Sequence, residues 1–286
     1  MTENKRKLYI LMANSFILYV LAYLVVLIPS QLITHLVASG FDIPTKFSLF
    51  KIIFPIPDHS YLWQPNSVAA IYIATPVFVL LLAIFIARYY VLFSSKNGIN
   101  TNLFLIWIYA HCINIFFGGL TIGIPLIKGF GYVPHWLYAS QELTFVFLLF
   151  SLLILFGNGY LLKAPFSALF YDKKFSNSPF HSFIFKIFVV FVPFIIANIL
   201  FALFHFPDGT IYERLVGFTM VIQLIGVLPF SPIYMPEDYV VKKVHFSYKS
   251  VLILVLVFLS FVIWRIIHNE FIYEYTEDQI QIELKK

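Results

Sequence analysis

The chain has 286 residues, of which 60% are hydrophobic and only 12% charged, and its formal net charge is +5. A soluble domain carries about a quarter charged residues, so this composition excludes an ordinary water-soluble globular protein. The single cysteine, Cys112, excludes an intramolecular disulfide, a CxxC redox pair and a multi-thiolate metal site.

Long apolar runs dominate the chain and predict membrane-spanning helices. A hydrocarbon core about 30 Å thick needs roughly 20 apolar residues to be crossed as a helix, and seven runs reach or approach that length. Each is expected to be helical because an isolated strand cannot satisfy its backbone hydrogen bonds in lipid. We therefore predict an all-α, polytopic transmembrane helix bundle that forms a single integral membrane domain over residues 1–286. The predicted spans are 9–36, 68–93, 102–127, 137–162, 181–205, 212–233 and 250–268.

Two of these runs leave alternatives open. Basic residues at positions 5–7 give the first run the layout of a secretory signal. The run is much longer than the roughly 7 to 15 apolar residues of such a signal, which favours an uncleaved helix. The sixth run contains Pro229 and Pro232, which break helices, so a re-entrant segment and only six full spans are the alternative there.

The distribution of Lys and Arg predicts the orientation. With the N-terminus inside, most of the 19 basic residues fall in the inner segments, and the outer segments are net acidic. Cytoplasmic loops carry an excess of Lys and Arg, so we expect a cytoplasmic N-terminus and an outer C-terminus. The acidic tail 270–286 then lies outside, as a strand or a surface helix. The compact loops favour a bacterial inner membrane.

The third run carries a stripe of polar and small residues. Trp107, His111, Asn114, Gly118 and Thr121 recur at steps of four and three, which places them on one helical face. Polar side chains are costly against lipid, so this face is expected to border the bundle interior or a wet cavity. Two interpretations remain: hydrogen bonding to neighbouring helices, or handling of a substrate or proton. His111 is the candidate for a proton-linked step, because imidazole titrates near neutral pH.

The fourth run has polar residues at both ends. Glu142 lies near its outer end, where Lys128 or His135 of the preceding turn could pair with it. At the other end, residues 157–159 read Gly-Asn-Gly, and the two glycines weaken a helix. We expect the helix to end there, shortly before Lys163; a discontinuous helix of the kind that marks binding sites in transporters is the alternative.

The longest outer loop, residues 37–67, is rich in aromatic residues and proline. Aromatic side chains favour the headgroup level of a membrane, and the prolines forbid a long regular helix. The loop is therefore predicted to lie along the membrane surface. A lid over an outward-facing cavity is the alternative.

No cofactor is predicted, although haem or metal binding stays an open alternative. The chain has eight histidines, most of them predicted near the outer ends of the runs. No HxxxH or HExxH spacing occurs on any one run, so metal or haem ligands would have to converge from separate helices.

These observations predict a non-enzymatic transporter of small solutes or ions, or a membrane subunit of a larger complex. The alternatives are an intramembrane enzyme with His111 as acid or base, and a haem-binding or metal-binding subunit. No catalytic residue is assigned. The expected partners are the lipid bilayer and another membrane protein or a second copy of the chain. Nucleic acid is not expected, because no basic face with interleaved aromatic residues exists outside the membrane. The candidate residues of the polar pathway are His111, Asn114, Thr121 and Glu142.

Overall fold

The computed structural model describes residues 3–47, 51–57, 60–169, 179–204, 211–228, 246–260 and 262–263. The predicted acidic tail and the ends of the last two predicted spans lie outside the described residues. The described part of the chain is almost entirely helical. Its elements in chain order are α1 (Glu3–Ser39), β1 (Lys46–Phe47), β2 (Ile52–Ile53), α2 (Pro65–Phe93), α3 (Ile99–Leu126), a 3₁₀ turn (Gly129–Gly131), α4 (Tyr132–Trp136), α5 (Gln141–Ala168), α6 (Pro179–Lys186, Ile187–Phe191 and Val192–Phe204), α7 (Ile211–Val227) and α8 (Tyr248–Ser260).

Five helices, α1, α2, α3, α5 and α6, have the length and apolar composition needed to cross a membrane. This result confirms the predicted all-α bundle of apolar helices. The helices α7 and α8 are shorter, with 17 residues in α7. Large apolar side chains such as Leu153, Leu161 and Leu203 are about 70% exposed on the outer faces of α5 and α6, where lipid would surround them.

Two of the long helices contain a π turn. In α3 the π turn spans Asn114–Gly118, and in α6 it spans Ile187–Phe191. A π turn inserts one extra residue into an α-helix, so the residues that follow it are rotated by about 100° around the helix axis. Such turns frequently occur at functional sites.

Helix α5 is longer than the sequence predicted. It begins after Ser140, whose hydroxyl accepts a hydrogen bond from the backbone N–H of Leu143, and it continues to Ala168. The Gly-Asn-Gly triplet at 157–159 does not end it. Gly159 instead allows close contact with α7, since a Cβ added there would overlap the carbonyl oxygen of Gln223. The glycine therefore serves helix packing and not helix termination.

Helix α1 lies at the centre of the bundle and packs against α2, α3 and α6, while α7 packs against α5 and the π turn of α3. Fully buried side chains from three of these helices meet around Tyr19 and Trp107, whose ring centroids are 4.8 Å apart in an edge-on arrangement. The core is thus built mainly from aromatic and aliphatic residues of α1, α3 and α6.

A short β-hairpin lies over one end of the bundle, which we call the hairpin end. Its two strands pair antiparallel, with Phe47 opposite Ile52. The hairpin is attached to α1: a ring nitrogen of His35 lies 2.6 Å from the hydroxyl of Thr45, and the His35 ring is 5.4 Å from the ring of the fully buried Phe47. The aromatic loop therefore folds back onto the helices.

Candidate functional site

Two adjoining cavities run from the hairpin end into the bundle. The outer cavity has a volume of about 450 Å³ and the inner cavity about 210 Å³. Together they fall within the roughly 300 to 1,000 Å³ that is typical of small-molecule sites. The side chains that line both cavities, and so mark their junction, are Gln31, Thr75, Ile115, Tyr212 and Glu213.

The outer cavity is lined by helices and by two loops. The hairpin contributes Lys51 and Ile53, and the turn that follows α3 contributes Lys128 and Phe130. Lys128 is exposed, so the cavity reaches the protein surface. The aromatic loop therefore forms part of the wall of a cavity.

The inner cavity lies among the helices. Its lining combines phenol, imidazole and amide groups: Tyr19 and Tyr23 of α1, His111 and Asn114 of α3, and Asn198 of α6. Helix α7 adds the charged residues Glu213 and Arg214 at its first turn. The cavity therefore offers hydrogen-bonding groups on every side, although its surface is largely apolar.

His111 borders this cavity and is only 3% exposed. Its Nε2 atom lies 3.2 Å from the backbone carbonyl oxygen of Tyr19. A carbonyl oxygen only accepts hydrogen bonds, so Nε2 must carry a proton in this contact. The ring also packs edge-on against Tyr19, with 4.4 Å between centroids, and at 5.5 Å from Tyr23. These contacts fix the orientation of the imidazole.

The hydroxyl of Tyr19 joins three helices. It accepts a hydrogen bond from the side-chain amide of Asn198 over 2.8 Å and lies 3.5 Å from the sulfur of Met220. Asn198 also donates to the carbonyl oxygen of Phe194 in its own helix over 3.0 Å. This arrangement connects α1, α6 and α7 at the floor of the inner cavity.

Asn114, the first residue of the π turn, binds α7 instead. Its amide nitrogen donates to the carbonyl oxygen of Val216 over 2.7 Å, and its amide oxygen accepts from the hydroxyl of Thr219 over 3.0 Å. Gly118 gives Thr219 room, since a Cβ added there would overlap the Thr219 hydroxyl. Both polar atoms of the Asn114 side chain are thereby paired, and the π turn is fixed against α7.

The predicted stripe on α3 does not form one uninterrupted face. His111 contacts α1, Asn114 contacts α7, and Thr121 contacts α5, where its hydroxyl lies 2.9 Å from that of Ser151. The extra residue of the π turn rotates the second half of the helix, so regular spacing in the sequence does not give a common direction in space. His111 and Asn114 line the inner cavity, whereas Thr121 is not among the residues that line either cavity.

Glu142 lies in the first turn of α5 and is exposed. It forms no ion pair with Lys128, His135 or another described residue, and it lines neither of the two cavities. Its predicted place near the mouth of a polar pathway stays a prediction. The structure thus brings together two of the four candidate residues.

Sequence reasoning missed the contribution of α1. Ser15, Tyr19, Tyr23 and Ser30 are separated by four, four and seven residues, which places them within about 80° of one another around that helix. The same spacing rule could have found them. Tyrosine, however, is also common at membrane interfaces, so its presence in an apolar run does not by itself indicate a site.

Within the described ranges, no group of three or more His, Cys, Asp and Glu side chains is arranged to hold a metal ion. Histidines at 59, 205, 245 and 268 lie outside the described residues. Haem or metal binding therefore remains an untested alternative.

The fold and cavities indicate an α-helical membrane protein with an internal cavity that contains several hydrogen-bonding side chains. The chain matches no protein-family model, no curated protein and no solved structure.

Proposed function

We propose that the protein carries a small polar solute across a membrane through the two cavities. The observation that carries this proposal is that His111, buried at the centre of the bundle, borders a cavity that adjoins a larger one at the hairpin end. Packing alone would favour a closed, dry face around His111 and Asn114. A lined cavity provides a solute with hydrogen-bonding partners at membrane depth.

The polar face of α1 supports a route that continues beyond the cavity. From Ser30 to Ser15 this face extends about 22 Å along the helix axis, most of the thickness of a hydrocarbon core. Below Ser15, the side chain of Asn14 bonds to Asn100 over 3.0 Å and accepts from the backbone N–H of Ser247 over 3.1 Å. Polar groups thus follow the helix almost from one end of the bundle to the other.

The half of the bundle opposite the hairpin is closed. Trp107 is fully buried, donates to the hydroxyl of Ser15 over 3.1 Å, and packs against the ring of Phe166 at 5.1 Å. Ser15 in turn donates to the carbonyl oxygen of Val189, in the π turn of α6, over 2.6 Å. Passage of a solute would require α1, α3 and α6 to rearrange around these contacts.

Unpaired polar groups in the closed half support such a rearrangement. Gln223 is fully buried, and neither of its amide atoms has a hydrogen-bond partner among the described residues. The side-chain amide nitrogen of Asn158 is also buried and has no hydrogen-bond partner among the described residues. Its amide oxygen accepts a hydrogen bond from the hydroxyl of Tyr109 over 2.6 Å. Burying an unsatisfied polar group costs about 1–3 kcal/mol. Water that enters when this half opens would remove that cost.

The proposal includes seven membrane crossings with a cytoplasmic N-terminus, in a bacterial inner membrane. The five long helices would be joined by α7 and α8 as further crossings, and the hairpin end would face outward. The 17 residues of α7 lie at the lower end of the roughly 17–25 residues that span a bilayer.

The test uses cysteine accessibility from each side of the membrane. Because Cys112 is the only cysteine, the Cys112→Ala variant provides a background without thiols. Into it are introduced, separately, Thr75→Cys at the junction of the cavities and Ala202→Cys in the inner cavity. Ser151→Cys, fully buried outside both cavities, is the matched control. Right-side-out and inside-out vesicles are treated with a membrane-impermeant maleimide.

A transporter that opens alternately to the two sides predicts that Ala202→Cys and Thr75→Cys, which both line the inner cavity, are labelled from both faces. Labelling of Ala202→Cys from the hairpin face only would indicate a binding protein and contradict transport. Labelling of both positions no faster than Ser151→Cys would contradict the hydrated route itself.

A further inference from the structure

We infer that the solute is a small organic anion, such as a carboxylate or a phosphate ester; this inference rests on the proposed function. It comes from the charges that line the cavities and from how they are distributed along the route. The described lining residues with formal charges are Lys51, Lys128, Arg214 and Glu213.

Among the described residues that line the route, cations outnumber carboxylates. Lys51 comes from the hairpin, Lys128 from the turn after α3, and Arg214 from the first turn of α7, so three separate elements place a positive charge on the cavities. Glu213 is the one carboxylate among the described lining residues. Lys51, Glu213 and Arg214 also take part in contacts within the protein. Pairing of Glu213 with any one cation still leaves the lining positive.

The position of the two lysines matters as much as their number. Both line the outer cavity, which a solute reaches first, and neither lines the inner one. A cleft with charge of one sign and low-dielectric walls concentrates ions of the opposite sign and raises their rate of entry. With Glu213 included, the described lining of the outer cavity still carries two lysines against one carboxylate, a balance that favours the entry of anions over cations.

The inner cavity suits the uncharged part of such a molecule. The rings of Tyr23 and Phe201 lie 4.3 Å apart and provide apolar surface, while Asn114 and Asn198 provide amide groups. A simple inorganic ion would leave this surface unused. An organic anion can place its charged group near the cations and its remaining atoms against the aromatic and amide groups.

The test measures the electrostatic potential at the junction of the cavities. Full-length Cys112→Ala, Thr75→Cys protein in detergent is reacted with two methanethiosulfonates of similar size, one bearing a sulfonate and one a trimethylammonium group. The ratio of the two rates is divided by the same ratio for 2-mercaptoethanol in solution, which removes the difference in intrinsic reactivity. After this normalisation, we expect the sulfonate reagent to react about ten times faster than the trimethylammonium reagent.

Two charge variants locate the source of this preference. Lys51→Gln with Lys128→Gln should lower the normalised ratio several-fold. Lys96→Gln, which removes an exposed lysine between α2 and α3 that lines neither cavity, should leave it unchanged.

The outcomes separate this inference from the proposed function. A ratio below one, or a ratio that the double variant does not change, would overturn the anion assignment while leaving a hydrated cavity in place. Failure of both reagents to react faster than they do with Ser151→Cys would overturn the cavity, and with it the proposed function.

Discussion

The side-chain amide of Asn198 donates a hydrogen bond to the hydroxyl of Tyr19 over 2.8 Å, and so ties α6 to α1. The backbone carbonyl of the same tyrosine lies 3.2 Å from Nε2 of His111 in α3. One residue thus holds two neighbouring helices at the floor of the inner cavity. Any movement that opens the closed half of the bundle has to change the surroundings of Tyr19.

Removal of the Tyr19 hydroxyl tests this connection. Tyr19→Phe should lower the free energy of unfolding by about 1 kcal/mol, because Asn198 loses one acceptor while the ring packing is retained. Tyr9→Phe, at a position that is 48% exposed, is the control and should have no effect. Unfolding is followed by titration with sodium dodecyl sulfate. Equal stability of the two variants would show that the hydrogen bond contributes nothing measurable.

The close contact between α5 and α7 is tested by comparing alanine substitutions at two glycines of α5. Gly159→Ala should destabilise the protein by about 1–3 kcal/mol, since the added methyl group would overlap the carbonyl oxygen of Gln223. Gly157→Ala, two residues away on the same helix, meets no atom within 4 Å and should be neutral or slightly stabilising. Thermal unfolding of both variants in detergent measures the difference. Similar melting temperatures would contradict the close approach of α7 at Gly159.

The contact between His35 and Thr45 is expected to hold the hairpin over the outer cavity. His35→Ala should therefore raise the labelling rate of Thr75→Cys several-fold, because the wall of the cavity loosens. Tyr61→Ala, in the same loop but at a side chain that is 75% exposed, should leave the rate unchanged. If His35→Ala labels at the original rate, the hairpin does not restrict access to the junction.

Substitution of Thr121 tests whether this residue lies outside the solute pathway, as its absence from the lining of both cavities indicates. Thr121→Val removes the hydroxyl that lies 2.9 Å from that of Ser151, so stability should fall by roughly 0.6 kcal/mol, the average for such bonds between membrane helices. Because Thr121 lines neither cavity, the labelling rate at Thr75→Cys should not change. A large drop in that rate would instead favour the pathway role predicted from the sequence.

The helices were predictable from the sequence, because the length of an apolar run is set by the thickness of the membrane and not by neighbouring residues. The buried positions of His111 and Asn114 followed from their cost in lipid. Each of these inferences depends on a single segment. That is why they could be made without knowledge of the tertiary arrangement.

The shape of the site was less predictable. The π turn at Asn114–Gly118 depends on contacts of Asn114 and Gly118 with Thr219, more than 100 residues later, and has no local sequence pattern that marks it. The charged lining of the outer cavity also depends on residues that are far apart in the chain. Lys51 and Lys128 line the same cavity only after the hairpin folds over the bundle. Tyr19 and Tyr23 had a readable spacing, but their role depends on which helices surround them.

The central claim, a hydrated cavity that reaches His111, is tested most directly by hydroxyl-radical footprinting of the unmodified protein in lipid nanodiscs. X-ray radiolysis generates radicals from water, so it oxidises side chains that lie beside water even inside the bundle. Met220 and Tyr23, which line the inner cavity, should be oxidised, although Met220 is only 1% exposed. Trp107, fully buried and outside both cavities, should be protected. Protection of Met220 and Tyr23 equal to that of Trp107 would contradict the cavity.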